Sequence, residues 1–195
     1  MDEKTMYIIS GCNGAGKTTA SFTILPDILD CREFVNADEI AKGISPFQPE
    51  TVSFEAGRIM VNRIDELMCE GINFAFETTL STRSHMDRIK AAKALGYNVV
   101  LLFFWLRNIE LAKERVKTRV KEGGHHVDDA IIVRRYYRGL LNLFDLFLPL
   151  VDEAMVFDNS EGLPALIAEK YQNENLTISN QVLFLKLKEQ YENAK

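Results

Sequence analysis

A phosphate-binding motif lies near the start of the sequence. Residues 11–18 read Gly-Cys-Asn-Gly-Ala-Gly-Lys-Thr, which matches every fixed position of the pattern G-x-x-x-x-G-K-[ST]. The glycines let the backbone fold around an anion with its N–H groups pointing inward, and the following helix adds its positive dipole end. Lys17 is expected to reach the β- and γ-phosphates, and the Thr18 hydroxyl is expected to bind Mg²⁺. We therefore predict a nucleoside triphosphate site. Its cradle is formed by Gly11, Cys12, Asn13, Gly14, Ala15, Gly16, Lys17, Thr18 and Thr19.

The elements that must position this motif alternate between strand-like and helix-like segments. Strands are predicted over 6–10, 33–36, 72–76, 97–106 and 153–157, and helices over 19–25, 50–70, 84–95, 108–122 and 128–149. A hairpin over 165–178 and a helix from Asn180 follow. The segment 97–106 is the most apolar, which predicts a strand at the centre of a parallel sheet with both faces covered. Such alternation after a phosphate-binding loop predicts a three-layer α/β fold.

The composition excludes several classes of protein. The chain has 195 residues, of which 47% are hydrophobic and 26% charged, as in ordinary globular domains. Its net charge of -5 gives no electrostatic footprint for nucleic acid or for an acidic membrane. The charged N-terminus lacks the apolar core of a signal peptide, and the longest apolar run, 99–106, is too short to span a bilayer. The three cysteines, Cys12, Cys31 and Cys69, show no metal-binding spacing, so we expect a cytoplasmic protein.

Polar side chains follow the ends of the predicted strands. In open α/β sheets, ligands bind beyond the carboxyl ends of the strands, so these positions are candidates for the site. They are Asp38 and Glu39 after the second strand, Glu77, Thr78 and Thr79 after the third, Arg107 after the fourth, and Asp158 after the fifth.

Asp38 and Glu77 each allow two interpretations. Asp38 is placed to orient an attacking hydroxyl group and accept its proton, but aspartate is also a favoured N-cap, and Asp38 precedes a short helix. Glu77 either helps to hold Mg²⁺, as strand-end acids do in this class, or only bonds to nearby backbone.

Basic side chains are concentrated in the two helices that follow the most apolar strand. Arg115 and Arg119 are four residues apart and share one helix face, whereas the lysines of the same helix lie on another. Such a cluster is often only a solvated surface. Two basic helices joined by Gly-Gly-His-His also resemble a lid that closes over bound nucleotide, with the histidines anchoring the loop.

Five segments resemble, in the same order, the motifs of the zeta-toxin-type kinases. They are residues 11–19, 34–41, 76–81, 123–127 and 158–160. The resemblance extends over about residues 6–160, and the motifs together are more specific than the phosphate-binding loop alone.

The resemblance implies a three-layer P-loop kinase fold with a mostly parallel central sheet and a helical lid. It implies a cytoplasmic enzyme that uses ATP and Mg²⁺ to phosphorylate a hydroxyl group of a small molecule. In the zeta-toxin group this molecule is UDP-N-acetylglucosamine, so a nucleotide sugar is the expected acceptor. We predict one domain over 1–195, with the lid at about 108–150 and a C-terminal hairpin and helix at about 161–195. The chain resembles the stand-alone branch, so an antitoxin partner is possible but not indicated.

The resemblance also assigns residues. Lys17 matches the lysine of the loop, Asp38 matches the catalytic base, and Arg119 is the best match for a lid arginine that neutralises the transferring phosphoryl group. The family pattern has a second lid arginine, for which Arg134 and Arg135 are the candidates. Glu77 and Thr79, with Asp38, match the segments that face the acceptor.

Two other functions remain open at this point. One is a kinase whose acceptor is a nucleoside or a nucleotide. A protein of a different class, a nucleotide-dependent switch or binding protein, would use Asp38 as a cap and the arginines as a partner surface.

Overall fold

The secondary structure alternates between strands and helices along most of the chain. The computed structural model describes residues 4–124, 126–172 and 174–195. The strands are β1 (Lys4–Gly11), β2 (Glu33–Val35), β3 (Phe74–Thr78), β4 (Tyr97–Trp105), β5 (Glu153–Asp158), β6 (Ala165–Lys170) and β7 (Thr177–Ile178). The helices are α1 (Lys17–Asp27), α2 (Ala37–Ile44), α3 (Ser53–Glu70), α4 (Met86–Ala94), α5 (Ile109–Lys121), α6 (Asp129–Asn142), α7 (Leu148–Leu150) and α8 (Gln181–Asn193). A 3₁₀ helix (Pro49–Val52) precedes α3, and a π-helical turn (Leu143–Phe147) joins α6 to α7.

These strands form one sheet in the order β2-β3-β1-β4-β5-β6-β7. The first five are parallel to one another, and β6 and β7 continue the sheet in antiparallel fashion. Strand β4 lies in the middle of this order, and all its residues except Asn98 are buried. Its continuous apolar sequence is explained by this position, because both faces of a central parallel strand are covered. The predicted α/β fold with a mostly parallel sheet is confirmed.

Apolar side chains fill both faces of the sheet and so produce three layers. On one face, Met6, Phe76 and Leu101 pack with α3, α4 and the C-terminal part of the chain. On the other, Ile9 and Phe104 pack with residues of α1, α5 and α6. Alternation of side chains along each strand sends successive residues to opposite faces. The phosphate-binding loop follows β1, a strand with packed side chains on both of its faces.

Strand β3 differs from its predicted bounds, since it begins two residues later and ends two residues later. Asn73 lies outside the strand, and its side-chain oxygen accepts a hydrogen bond of 2.8 Å from the backbone N–H of Thr5. Glu77 and Thr78 are the last two residues of β3, and they pair in register with Ile9 and Ser10 of β1. This pairing fixes the Glu77 backbone beside the strand that leads into the loop.

The helical hairpin α5–α6 corresponds to the predicted lid. Its connecting turn includes Gly124, whose backbone N–H donates a 2.8 Å hydrogen bond to the carbonyl of Arg119, and a Cβ at Gly124 would lie 2.6 Å from the Arg119 side chain. His126 contacts Asp128 at 3.2 Å, whereas His125, also expected to anchor this loop, lies outside the described residues.

The C-terminal segment completes the sheet. The predicted hairpin is confirmed as β6 and β7, and β6 also pairs with β5, so the hairpin extends the central sheet. Helix α8 then packs against the core through Leu183, Leu187 and Tyr191. Among the described residues, no helix is long and apolar enough to cross a bilayer.

Candidate functional site

The phosphate-binding loop has a backbone conformation that only glycine adopts easily. Gly11 has a φ of 140°, and a Cβ there would lie 2.2 Å from the carbonyl oxygen of Phe104 in β4. Gly16 has a φ of 77°, and a Cβ there would lie 2.5 Å from Nδ2 of Asn159. Both sites combine left-handed geometry with close packing, so larger residues are excluded. Helix α1 begins directly after Gly16 and directs its N-terminus toward the loop.

Lys17 is held inside the loop. Its side chain is 7% exposed, and its Nζ donates a 2.9 Å hydrogen bond to the carbonyl of Cys12. The same nitrogen lies 3.4 Å from Oε1 of Glu77. The ammonium group is thus fixed beside the backbone N–H groups of the cradle. An anion bound there would be attracted by the positive charge and would accept hydrogen bonds.

Glu77 connects three parts of the site. Besides its contact with Lys17, its Oε2 accepts hydrogen bonds from the Thr18 hydroxyl at 2.6 Å and from Nδ2 of Asn36 at 2.9 Å. A hydroxyl and a carboxylate side by side are hard oxygen donors, which Mg²⁺ prefers when substrate phosphates complete its coordination. The pair Thr18 and Glu77 therefore fits the predicted metal site. The described residues contain no group of three or more acidic, histidine or cysteine side chains arranged for a metal.

Asp38 is not the N-cap of its helix, so the capping interpretation is wrong. Asn36 is the N-cap of α2, and its Oδ1 accepts a 2.8 Å hydrogen bond from the backbone N–H of Asp38. Asp38 is the second residue of α2, exposed, and lines the same cleft as Lys17. An acidic residue in the first turn still interacts favourably with the helix dipole, but the helix does not depend on it to begin.

The two basic helices contribute three arginines to this cleft, namely Arg115, Arg119 and Arg135. Arg115 donates hydrogen bonds to the carbonyls of Asn159 (2.8 Å) and Ser160 (2.9 Å) and so ties α5 to the loop after β5. None of the lysines of α5 lines the cleft, in agreement with the separate helix faces inferred from the sequence.

Of the two candidates on α6, Arg135 lies in the cleft and Arg134 does not. Arg135 donates a 3.2 Å hydrogen bond to Oδ1 of Asn13 in the phosphate-binding loop. Burial lowers the pKa of its guanidinium, and the nearby Asp38 carboxylate offsets part of that shift. Arg134 is exposed and outside the lining of the cleft.

The cleft has a volume of about 1130 Å³ and extends to both sides of the loop. Beside Asp38 and Arg135 it is lined by Thr78, Thr79, Met60 and His85. The lining also includes Ile24, Ile28, Leu111 and Leu163, with Asn159 beside Gly16. It therefore combines polar and apolar side chains.

The turn after β3 carries Thr79, which lines the cleft. Leu80 is buried and has a φ of 53°, a left-handed conformation that is costly for leucine. Its carbonyl accepts a 2.6 Å hydrogen bond from Nδ2 of Asn142 in α6, and its N–H donates to Oγ1 of Thr78 at 3.2 Å. The hydroxyls of Thr79 and Ser81 lie 2.8 Å apart. These contacts keep the strained turn in one conformation.

His85 forms part of the wall near Met60. Its ring lies 4.7 Å from that of Phe76, and burial, with a smaller effect of the Arg88 charge, lowers its pKa to about 4. The imidazole is therefore neutral at physiological pH. Its Nδ1 is buried and has no hydrogen-bond partner among the residues that the structure describes.

Three residues with defined contacts in the site were not assigned roles from the sequence. Asn36 links Asp38 to Glu77, Arg115 anchors the loop after β5, and Asn159 donates a 2.7 Å hydrogen bond to the carbonyl of Ala15. Asn36 and Asn159 lie within segments that carry the family resemblance, and Arg115 lies on the helix face shared with Arg119. The available signal was therefore the motif for the two asparagines and the shared helix face for Arg115.

Comparison with known proteins gives one family. The model of a family described as zeta toxin matches residues 2–159. An uncharacterized protein of Haemophilus influenzae (strain ATCC 51907 / DSM 11121 / KW20 / Rd) is 35% identical over 137 residues, which are 70% of this chain and 94% of that protein.

Solved structures show the same fold at low sequence identity. A chain of the AvrRxo1-ORF1:-ORF2 complex with ATP superposes with a TM-score of 0.76 at 18% identity, covering 95% of this chain. This chain spans only 63% of that one. The PezAT chromosomal toxin–antitoxin system of Streptococcus pneumoniae gives a TM-score of 0.68 at 17% identity, covering 100% of this chain and 85% of the other.

Proposed function

Because the chain belongs to the zeta toxin family of P-loop kinases, we propose that it phosphorylates a hydroxyl group of a nucleotide sugar, such as UDP-N-acetylglucosamine. The family makes the chain an ATP-dependent phosphotransferase with a hydroxyl acceptor. The nucleotide sugar is the further step of the proposal. It is supported by the resemblance of residues 34–41 and 76–81 to the acceptor-facing segments of this family.

The observation that carries the proposal is the position of Asp38. Its carboxylate lines the cleft near Arg135 and is not needed to begin α2, because Asn36 performs that role. An exposed carboxylate that shares a cleft with Lys17 is available to accept a proton from a bound hydroxyl group. We therefore assign Asp38 as the general base.

The size of the cleft also supports two substrates. Pockets that enclose one drug-sized ligand range from about 300 to 1,000 Å³. The cleft here, at about 1130 Å³, exceeds that range, and residues of the phosphate-binding loop form part of its lining. We place ATP along the loop, with its base toward Ile24 and Leu163, and the acceptor beside Asp38 and Thr79.

The proposed step is an in-line transfer. The acceptor hydroxyl oxygen forms a bond to the γ-phosphorus while its proton moves to the Asp38 carboxylate. The bond between the γ-phosphorus and the bridging oxygen breaks, and ADP leaves with the electron pair. Lys17, Arg119 and Arg135 are assigned to the charge on the transferring oxygens, which is greatest in the transition state. Thr18 and Glu77 would hold Mg²⁺, which neutralises phosphate charge.

The proposal is tested by measuring ADP release from ATP and Mg²⁺ with single candidate acceptors. The panel contains UDP-N-acetylglucosamine, UDP-glucose, N-acetylglucosamine, UDP and uridine, and mass spectrometry identifies any phosphorylated product. We expect the largest stimulation with a nucleotide sugar and a product that carries one added phosphoryl group. The Lys17→Ala variant is the matched negative control.

Two outcomes contradict the proposal in different ways. Phosphorylation of uridine or UDP, with no product from the nucleotide sugars, shows a nucleoside- or nucleotide-type kinase. Saturable ATP binding without stimulation by any acceptor supports a nucleotide-dependent switch.

A further inference from the structure

The side-chain amide of Gln190 contacts three polar groups, two of which belong to buried residues. Its Oε1 accepts hydrogen bonds from Nε1 of Trp105 at 2.9 Å and from the hydroxyl of Tyr136 at 2.6 Å. Its Nε2 donates to the carbonyl of Arg107. Trp105 and Tyr136 are 2% and 5% exposed, so water does not satisfy these groups. An amide supplies both an oxygen with two acceptor positions and an N–H donor, which is the combination required here.

Tyr136 connects this amide to the cleft. It directly follows Arg135 in α6, and neighbouring residues of a helix point about 100° apart. Tyr136 points inward, where its hydroxyl also lies 2.6 Å from the carbonyl of Leu106, while Arg135 reaches Asn13 of the phosphate-binding loop. A shift or rotation of α6 would therefore move both side chains together.

Arg107 connects the same amide to the opposite wall. Its backbone N–H donates to the Ser160 hydroxyl at 2.9 Å, and its Nε donates to the Asp158 carboxylate at 2.7 Å. The intervening Asn159 contacts the phosphate-binding loop through the carbonyl of Ala15. The Gln190 amide thus contacts the end of β4 and α6, and both lead to residues of the site.

We propose that Gln190 is a positioning residue for phosphoryl transfer, which fixes α6 to the end of β4 and so holds Arg135 against the phosphate-binding loop. Gln190 lies in α8, beyond the residues 2–159 that the family model matches. The C-terminal helix therefore supports the chemistry as well as the core. The inference rests on the proposed function only in that Arg135 acts on the transferring phosphoryl group.

The test compares Gln190→Met, which keeps the length of the side chain and removes its hydrogen bonds, with Glu189→Gln at the exposed neighbouring position. ADP release is measured with ATP and the best acceptor. We expect Gln190→Met to lower kcat by roughly tenfold or more and to change the KM for ATP less than twofold, since a misplaced arginine mainly weakens transition-state binding. Glu189→Gln is expected to behave as the unmodified chain.

A double variant separates positioning from a general loss of stability. If Gln190 acts through Arg135, the Arg135→Ala, Gln190→Met protein is no slower than Arg135→Ala alone. Independent effects would multiply, and that result, or an unchanged kcat in Gln190→Met, overturns the inference. Should Gln190→Met not fold, Tyr136→Phe replaces it; this change removes the hydroxyl with its contacts to both Gln190 and Leu106, so it tests the link between α6 and the end of β4, and it is expected to show the same non-additivity.

Trp105 gives a readout that does not depend on the acceptor. It is the only tryptophan of the chain, so its fluorescence reports directly on the bond to Gln190. We expect a blue-shifted emission in Gln190→Met, because the indole N–H loses its polar partner, and no shift in Glu189→Gln. If Arg135→Ala proves silent, the role assigned to Arg135 fails while this spectral result still reports whether the contact exists in solution.

Discussion

The Oδ1 atom of Asn36 accepts a hydrogen bond from the backbone N–H of Asp38, and Nδ2 of the same side chain donates to Glu77. One amide therefore begins helix α2 and links it to the end of strand β3. This one side chain thus contacts the backbone of Asp38 and the carboxylate of Glu77. Glu77 faces Thr18 and Lys17, whereas Asp38 faces the open cleft. On this basis we propose a metal-side role for Glu77 and an acceptor-side role for Asp38.

The first prediction concerns Asp38. Asp38→Asn keeps the size of the side chain but removes the charge that accepts the proton, so we expect turnover to fall by a factor on the order of 10²–10⁴. The melting temperature should change little, because Asn36 begins the helix. For the same reason Asp38→Ala should cost little stability, whereas Asn36→Ala should cost about 1 kcal/mol or more. Normal turnover in Asp38→Asn would falsify its assignment as the base.

The second prediction concerns Lys17. Lys17→Ala removes the ammonium group that faces the phosphates, and we expect nearly complete loss of phosphoryl transfer in a protein that still folds. Circular dichroism and the melting temperature verify the fold, and ADP release measures activity. Glu77 retains its hydrogen bonds from Thr18 and Asn36 in this variant, which limits the structural effect. A folded Lys17→Ala protein with unchanged turnover would contradict the whole assignment of the site.

The third prediction concerns the arginines of the helical hairpin. Arg119→Ala and Arg135→Ala should each lower kcat much more than they weaken ATP binding, because charge on the phosphoryl oxygens is greatest in the transition state. Arg134→Ala and Lys121→Ala are matched controls on the same two helices, since both side chains are exposed and outside the cleft. Steady-state kinetics and ATP titration give the two quantities. Equal, small effects in all four variants would mean that the cluster is a solvated surface.

The fourth prediction concerns His85 and acid stability. Its pKa is about 4 in the folded chain and about 6.5 when unfolded, so the unfolded chain binds more protons between these values. The His85 contribution to the free energy of unfolding is complete above pH 6.5. The free energy of unfolding then decreases as the pH falls toward 4 and below, by up to about 3 kcal/mol. Denaturant unfolding at several pH values between 7 and 4 measures this change in the free energy of unfolding. His85→Phe keeps the packing on Phe76 and should show a smaller loss over this range; an identical pH dependence would contradict a buried neutral imidazole.

The parts of the fold that follow from periodicity were predictable from the sequence. The phosphate-binding loop, the central position of β4 and the two basic helices each have a local signature, either a motif or an apolar pattern. The extension of the sheet by β6 was not predictable, because strand pairing depends on side chains that are distant in the chain. The bounds of β3 were missed because they depend on the pairing of Phe74–Thr78 with β1, a distant segment of the chain.

The candidate site was predictable to a similar extent. Lys17, Thr18, Asp38 and Glu77 were identified from a motif and from strand ends, and all lie in one cleft. The choice between Arg134 and Arg135 depends on how α6 is oriented about its own axis, and the sequence does not give that orientation. Gln190 has no local signature, since its contacts join residues of β4, α6 and α8 that only the folded chain brings together.

Strand order has a consequence for the kinetics of folding. Strand β1 lies between β3 and β4, so Met6 must pair with Phe74 on one side and with Val99 on the other. Contacts between residues so distant in the chain close large loops, and chains dominated by them fold slowly. During synthesis on the ribosome, the strand that leads into the phosphate-binding loop has no neighbour until these later segments emerge. The loop therefore follows a fully paired strand only after β4 has been synthesised.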